Sequence, residues 1–206
     1  MDKNRIIRLG FVIATLSVLG GIAYYCPACR NKENTNASSA TATSHQREAE
    51  ANLPGVPNFH KVSEDLYRGA QPTQEGFREL EKLGIKTVVN LRSSHSDKDL
   101  LKGTNFIYEH IPMTAWHPEQ EDAVRFLKIV TDANRTPVFV HCRHGADRTG
   151  TMCAIYHIAV QGWSKDQAIE EMTKGDFGFH GIFENLVNYI RGLDIEEIKQ
   201  QAGINH

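Results

Sequence analysis

The chain predicts an α/β fold with a central, mostly parallel sheet flanked by helices, occupying residues 56–206. Three observations carry that prediction. The β-branched runs "IKTVVNL" and "PVFVHC" read as strands buried on both faces. Stretches with helical spacing of apolar residues, several carrying capping signals, fill the intervals between strands. A net charge of −2 over 206 residues, with 40% hydrophobic residues, suits one well-buried domain with length left for extensions.

The elements follow in order from "LPGVPNF". "FHKVSEDLYRGAQP" places two short strands, Phe59 to Val62 and Leu66 to Arg68, around a turn. Thr73 can cap a helix through "QEGFRELEKLG", with Phe77, Leu80 and Leu83 on one face and Gly84 at its end. "IKTVVNL" and "NFIYEHIP" are the next two strands. Pro118 and the acids behind it open a helix through "EQEDAVRFLKIVTDA", with Val124, Leu127 and Val130 inward. "PVFVHC" is a further strand, and "RTGTMCAIYHIAVQG" an apolar helix. Ser164 and Gln167 form a capping box for "KDQAIEEMTK", closed by Gly175; the tail "IFENLVNYIRGLDIEEIKQ" is helical. No internal repeat is present.

The N-terminal quarter reads differently. Lys3, Arg5 and Arg8 precede "LGFVIATLSVLGGIAYY", an uncharged apolar run over residues 9–25. Spanning a bilayer takes roughly 17–25 such residues. The run is expected to be a signal segment or, without a clean cleavage site, an uncleaved anchor. Basic residues ahead of it put residues 1–8 in the cytoplasm and the domain outside, in a bacterial periplasm or an equivalent exterior. Residues 26–55, rich in Asn, Ser, Thr and Ala, are expected to form a flexible linker.

The four cysteines, Cys26, Cys29, Cys142 and Cys153, make no disulfide framework. No HExxH, CxxC…CxxC or His-cluster spacing marks a metal site. The mild acidity argues against a nucleic-acid binder.

Chemistry concentrates in "PVFVHCRHGADRTG". A buried strand ends at Cys142, and a helix starts near Arg148. Ligands in open α/β sheets bind where strand carboxyl ends meet helix starts. Gly145 lets the intervening loop, Arg143, His144, Gly145, Ala146 and Asp147, turn backbone N–H groups inward as a nest for a dianion. Arg148 supplies a planar fork for phosphate. A thiol at a helix N-terminus beside arginine is the setting in which cysteine becomes a thiolate nucleophile. Thr149 is placed to donate to the sulfur, and His141 to orient the loop through its ring nitrogens.

This His-Cys-x5-Arg-Thr-Gly pattern resembles the signature of the cysteine-dependent protein tyrosine and dual-specificity phosphatases. "LYRGAQPTQEGFRELEKLGIKTVVNLR" is similar to the start of the compact dual-specificity members, and "QGWSKDQAIEEMTKGDFG" to the helical end of exported bacterial ones. The resemblance implies a two-step hydrolysis through a phosphocysteine on Cys142, with Arg148 and the loop amides holding the equatorial oxygens. It implies no metal and no organic cofactor. The implied partner is a phosphorylated protein, hydrolysed at phosphotyrosine with phosphoserine and phosphothreonine also open, a phosphoinositide or other small phosphate ester being the second choice. Two other classes also use an anion loop: a phosphate-binding pseudophosphatase and a rhodanese-like sulfurtransferase.

The pattern departs from the family at the general acid. The family places an Asp roughly thirty residues before the nucleophile, where "HIPMTAWHPEQED" has Ala115 or Trp116. The candidate replacements are Asp147 inside the loop, His117, and the acids Glu119, Glu121 and Asp122, which also suit a helix start. Arg68 and Arg92 follow strands and could reach the phosphate mouth or serve packing. Cys153 reads as core rather than as a resolving thiol.

Overall fold

The computed structural model describes residues 53–204. Five strands pair in the order β1-β2-β5-β3-β4. They are β1 (His60–Lys61), β2 (Leu66–Gly69), β3 (Thr87–Asn90), β4 (Ile107–His110) and β5 (Val138–His141). Only β1 and β2 pair antiparallel; β2–β5, β5–β3 and β3–β4 are parallel, as the alternating pattern predicts. The candidate loop leaves β5, the central strand.

Helix α1 (Gln74–Lys82) covers one face of the sheet. The other face carries α2 (Gln120–Val130), α3 (Asp147–Ala159), α4 (Lys165–Lys174), α5 (Glu184–Gly192) and α6 (Ile195–Ala202). The period of two in the strands divides the core accordingly. Val88 and Phe139 pack with Phe77 and Leu80 of α1, while Val89, Val138 and Val140 face the larger cluster of the other helices.

The predicted caps form. Thr73 Oγ1 accepts from the Gly76 N–H at 3.1 Å, and Ser164 and Gln167 make both halves of the capping box. Three details differ. Leu83 lies just past α1 and is 46% exposed rather than inward-facing. The buried strand ends at His141, leaving Cys142 in the loop. The tail is broken into a 3-10 turn (Gly181–Phe183), α5 and α6, with Asp194 capping α6 through the Glu197 N–H.

Packing begins before residue 56: the Gly55 carbonyl accepts from the Thr73 N–H at 2.9 Å. The predicted membrane segment, residues 9–25, and the linker up to residue 52 lie outside the described residues, with Cys26 and Cys29. Among the described residues no helix is long and apolar enough to cross a membrane.

Candidate active site

The loop between β5 and α3 is held from outside by its carbonyl oxygens. The carbonyl of His141 accepts from the Leu91 N–H, and that of Arg143 from the Gln71 N–H. That of Cys142 faces Nδ1 of His141 at 3.3 Å. That of His144 accepts from Asn58 Nδ2, that of Gly145 from Arg68 Nη2, and that of Ala146 from the Gly150 N–H. In a trans peptide the N–H points opposite to the preceding carbonyl. Five consecutive N–H groups, those of Arg143, His144, Gly145, Ala146 and Asp147, are thereby turned to the concave side. None has an acceptor among the described residues. The spacing predicts a donor nest over these same five residues.

Gly145 is required twice over. Its φ of +70° disfavours any side chain. A Cβ there would also lie 2.5–2.6 Å from the backbone of Gly69 and Ala70. Asn58, whose amide clamps the His144 carbonyl, itself has a φ of 53°, a conformation Asn tolerates better than most residues.

Cys142 sits at the floor of this loop, 2% exposed. Arg148 is partly exposed and has no carboxylate partner among the described residues, so its guanidinium remains available to an anion. Thr149 is fully buried, and its hydroxyl has no hydrogen-bond partner among the described residues. The expected bond to the Cys142 sulfur is therefore not made in this geometry. The Thr149 hydroxyl is instead a buried polar group left without an acceptor.

His141 is held by a partner that sequence reading missed. Its Nε2 lies 2.9 Å from Asp97 Oδ2, and both side chains are completely buried. Gln71 Nε2 donates to the other Asp97 oxygen at 2.7 Å, and Arg92 Nη1 donates to Gln71 at 2.8 Å. The Asp97 N–H donates to Tyr108 Oη. Burial raises the Asp97 carboxyl, but the hydrogen bond and charge of His141, the Gln71 amide and His95 outweigh it, leaving the group below its ordinary value. Arg92 thus belongs to the scaffold that holds His141.

Arg68 also lies beneath the loop rather than at its mouth. It is 1% exposed, with Cζ 3.8 Å from the Phe177 ring centroid. A Cβ added at Gly150, in the first turn of α3, would sit 3.5 Å from its Nη2. Cys153 is fully buried, and burial pushes its thiol up to about 12, as expected of a core residue.

The acid candidates separate by partner. Asp147 does not pair with Arg148; it binds His180, another residue that sequence reading missed. The His180 N–H donates to Oδ1 at 2.8 Å, and its Nδ1 lies 3.1 and 2.9 Å from Oδ1 and Oδ2. Ala115 and Trp116 lie in the loop between β4 and α2. That loop is pinned by Asn185 Nδ2 on the Ala115 carbonyl, by Tyr189 Oη on the Glu119 carbonyl, and by Trp116 packing on Phe183. His117 is exposed within the same turn. Glu119 occupies the N-cap position of α2, with Glu121 and Asp122 in its first turn. Burial, with Glu119 and Glu121 nearby, raises the Asp122 carboxyl.

Comparison with known proteins agrees with this geometry. The family described as "DSP-PTPase phosphatase fused to NAD+ Kinase" matches residues 51–186. The dual specificity protein phosphatase TpbA of Pseudomonas aeruginosa is 33% identical over 165 residues, covering 80% of this chain and 75% of that protein. The crystal structure of P. aeruginosa TpbA superposes with a TM-score of 0.68 at 32% identity, covering 77% of this chain and 98% of that one. A cysteine-to-serine TpbA in complex with phosphotyrosine gives a TM-score of 0.65 at 29% identity, over 75% of this chain and 100% of that one. The chain belongs to the cysteine-dependent dual-specificity and tyrosine phosphatases and is a phosphatase.

Proposed function

We propose that the chain hydrolyses phosphotyrosine monoesters in proteins through a phosphocysteine on Cys142. The Cys142 sulfur attacks phosphorus; the S–P bond forms as the bond to the leaving oxygen breaks. Arg148 and the N–H groups of Arg143 to Asp147 hold the equatorial oxygens while charge builds on them. Asp147 gives its proton to the leaving oxygen. In the second step it takes one from the water that displaces sulfur and frees phosphate.

The observation that carries this reading is the row of five N–H groups without acceptors among the described residues, beside a cysteine. The phosphotyrosine complex of the TpbA relative supports tyrosine as the substrate side chain. An Asp within the loop supports a second reading, phosphoinositides or other small phosphate esters. One panel decides between them: phosphotyrosine, phosphoserine and phosphothreonine peptides against phosphoinositides, with wild type and Cys142→Ser. The first reading expects phosphotyrosine to lead in kcat/KM and Cys142→Ser to abolish turnover. Faster turnover of a lipid or small ester selects the second. Retained phosphopeptide binding without turnover by the wild type would leave a binding module, and sulfur transfer from thiosulfate to cyanide a rhodanese.

The charge pattern around residues 9–25 supports an anchor that holds the domain outside the cytoplasm. Alkaline extraction of membranes and protease accessibility of intact spheroplasts test that placement.

A further inference from the structure

The fold assembles a set of metal donors that no spacing in the sequence reveals, because the donors come from two distant segments. His144 lies in the phosphate loop, Asp147 starts α3, and His180 belongs to the segment between α4 and the 3-10 turn. One ligand atom from each falls within 4.8 Å of the others. The two imidazole rings are 5.6 Å apart, centre to centre. Both histidines are exposed, whereas Asp147 is buried and already faces Nδ1 of His180 at 2.9 Å.

The segment bearing His180 is held by contacts besides the one its own N–H makes to Asp147. Phe177 packs on the Arg68 guanidinium, and Asn58 Nδ2 donates to the Phe177 carbonyl at 3.0 Å. The three groups are therefore brought together before any ion arrives, which lowers the ordering cost of binding.

We propose that His144, Asp147 and His180 form an inhibitory zinc site at the rim of the phosphate loop. Two imidazoles and one carboxylate are a three-ligand set for tetrahedral Zn²⁺, with the fourth position left to water or a phosphate oxygen. A bound ion would take the Asp147 oxygens and stand beside the nucleophile loop, stopping turnover reversibly. The inhibitory part rests on the phosphatase reading; the binding part does not.

The test uses the full chain with Cys26→Ser and Cys29→Ser, which removes the other thiol pair. Zn²⁺ binding is followed by calorimetry, and Co²⁺ binding by the visible absorption of a tetrahedral site. Both are repeated with Cys142→Ser, which removes the nucleophile as a competing ligand. The proposal expects one ion per chain, with and without Cys142. It expects His180→Ala and His144→Ala each to weaken binding by at least the about 10–100-fold that loss of a supporting group costs a metal site. Zn²⁺ should inhibit aryl phosphate turnover, and EDTA should restore it. Whatever turnover His180→Ala retains should be at least tenfold less sensitive to Zn²⁺, to be judged against the same about 10–100-fold scale. Binding that disappears with Cys142→Ser, or that survives both histidine substitutions, overturns the site. A chain that binds the ion as described yet hydrolyses no phosphate ester keeps the site and refutes the phosphatase reading instead.

Discussion

Arg68 donates Nη2–H to the Gly145 carbonyl at 2.9 Å, from a position completely inside the protein. Its Nε and Nη1 have no partner, and no carboxylate pairs with it among the described residues. A buried charge normally needs a counter-charge. The phosphate that a phosphatase site takes is the natural one. Arg68→Met should therefore lower kcat/KM and slow the alkylation of Cys142 at neutral pH. The loss should be about 10-fold or more, the scale of a charged hydrogen bond of about 1.5–3 kcal/mol. The melting temperature should move little, since an unpaired buried charge leaves with the hydrogen bond. A large fall in melting temperature with unchanged alkylation would make Arg68 a packing residue.

The Asp97–His141 pair predicts a pH signature. The folded state depresses the Asp97 carboxyl, so the pair contributes stability above the unfolded value of about 3.9 and loses it as pH falls below that. Urea midpoints of the wild type should drop on acidification through about pH 4 and below. Asp97→Asn should be less stable at pH 7 by about 3–5 kcal/mol, as for one side of a broken buried pair. It should also show a shallower acid slope. Equal slopes in the two proteins would remove Asp97 as the source.

Asp147→Asn tests the acid. Turnover of an alkyl phosphate should fall by about 10²–10⁴, while that of an activated aryl ester falls far less. His180→Ala should move the same ratio in the same direction, because His180 touches both Asp147 oxygens. If the alkyl ester is unaffected by Asp147→Asn but suffers in His117→Ala, the acid is His117.

Thiol mapping separates the two described cysteines. In the native protein, iodoacetamide followed by mass spectrometry should label Cys142 and spare Cys153, whose thiol is raised to about 12 by burial. Labelling of Cys153 at a comparable rate would contradict its place in the core.

Gly145→Ala should disable the site, since the new methyl group would overlap the backbone of Gly69 and Ala70. A cost of about 1–3 kcal/mol is expected from the strained backbone alone. Phosphate should no longer raise the melting temperature of this variant, as it should for the wild type.

Residue order explains which of these features could be read in advance. Thr73, Ser164 and Gln167 act within one helical turn, so their caps were visible in the sequence. The strand, the tight loop with Gly145 and the start of α3 are also local, and Cys142, Arg148 and the nest follow from them. Asp97 and His180 escaped because they lie 44 and 33 residues from His141 and Asp147 in segments with no periodic pattern. Arg68 stands out at the end of a strand, but a side chain running inward to a backbone carbonyl leaves no trace in residue spacing. Leu83 fits the inward stripe of α1, yet the helix ends one residue earlier and its side chain turns to water.

The tethering of the carbonyls has a consequence for modularity. Asn58, Arg68, Gln71 and Leu91 reach the loop from four different stations along the chain. A synthetic peptide spelling out residues 137–150, or the same letters grafted onto another strand-to-helix junction, would lack those struts and relax into an ordinary turn. The recipe for gripping phosphate is therefore spread through the domain, and the ten or so letters that advertise it are its least portable part.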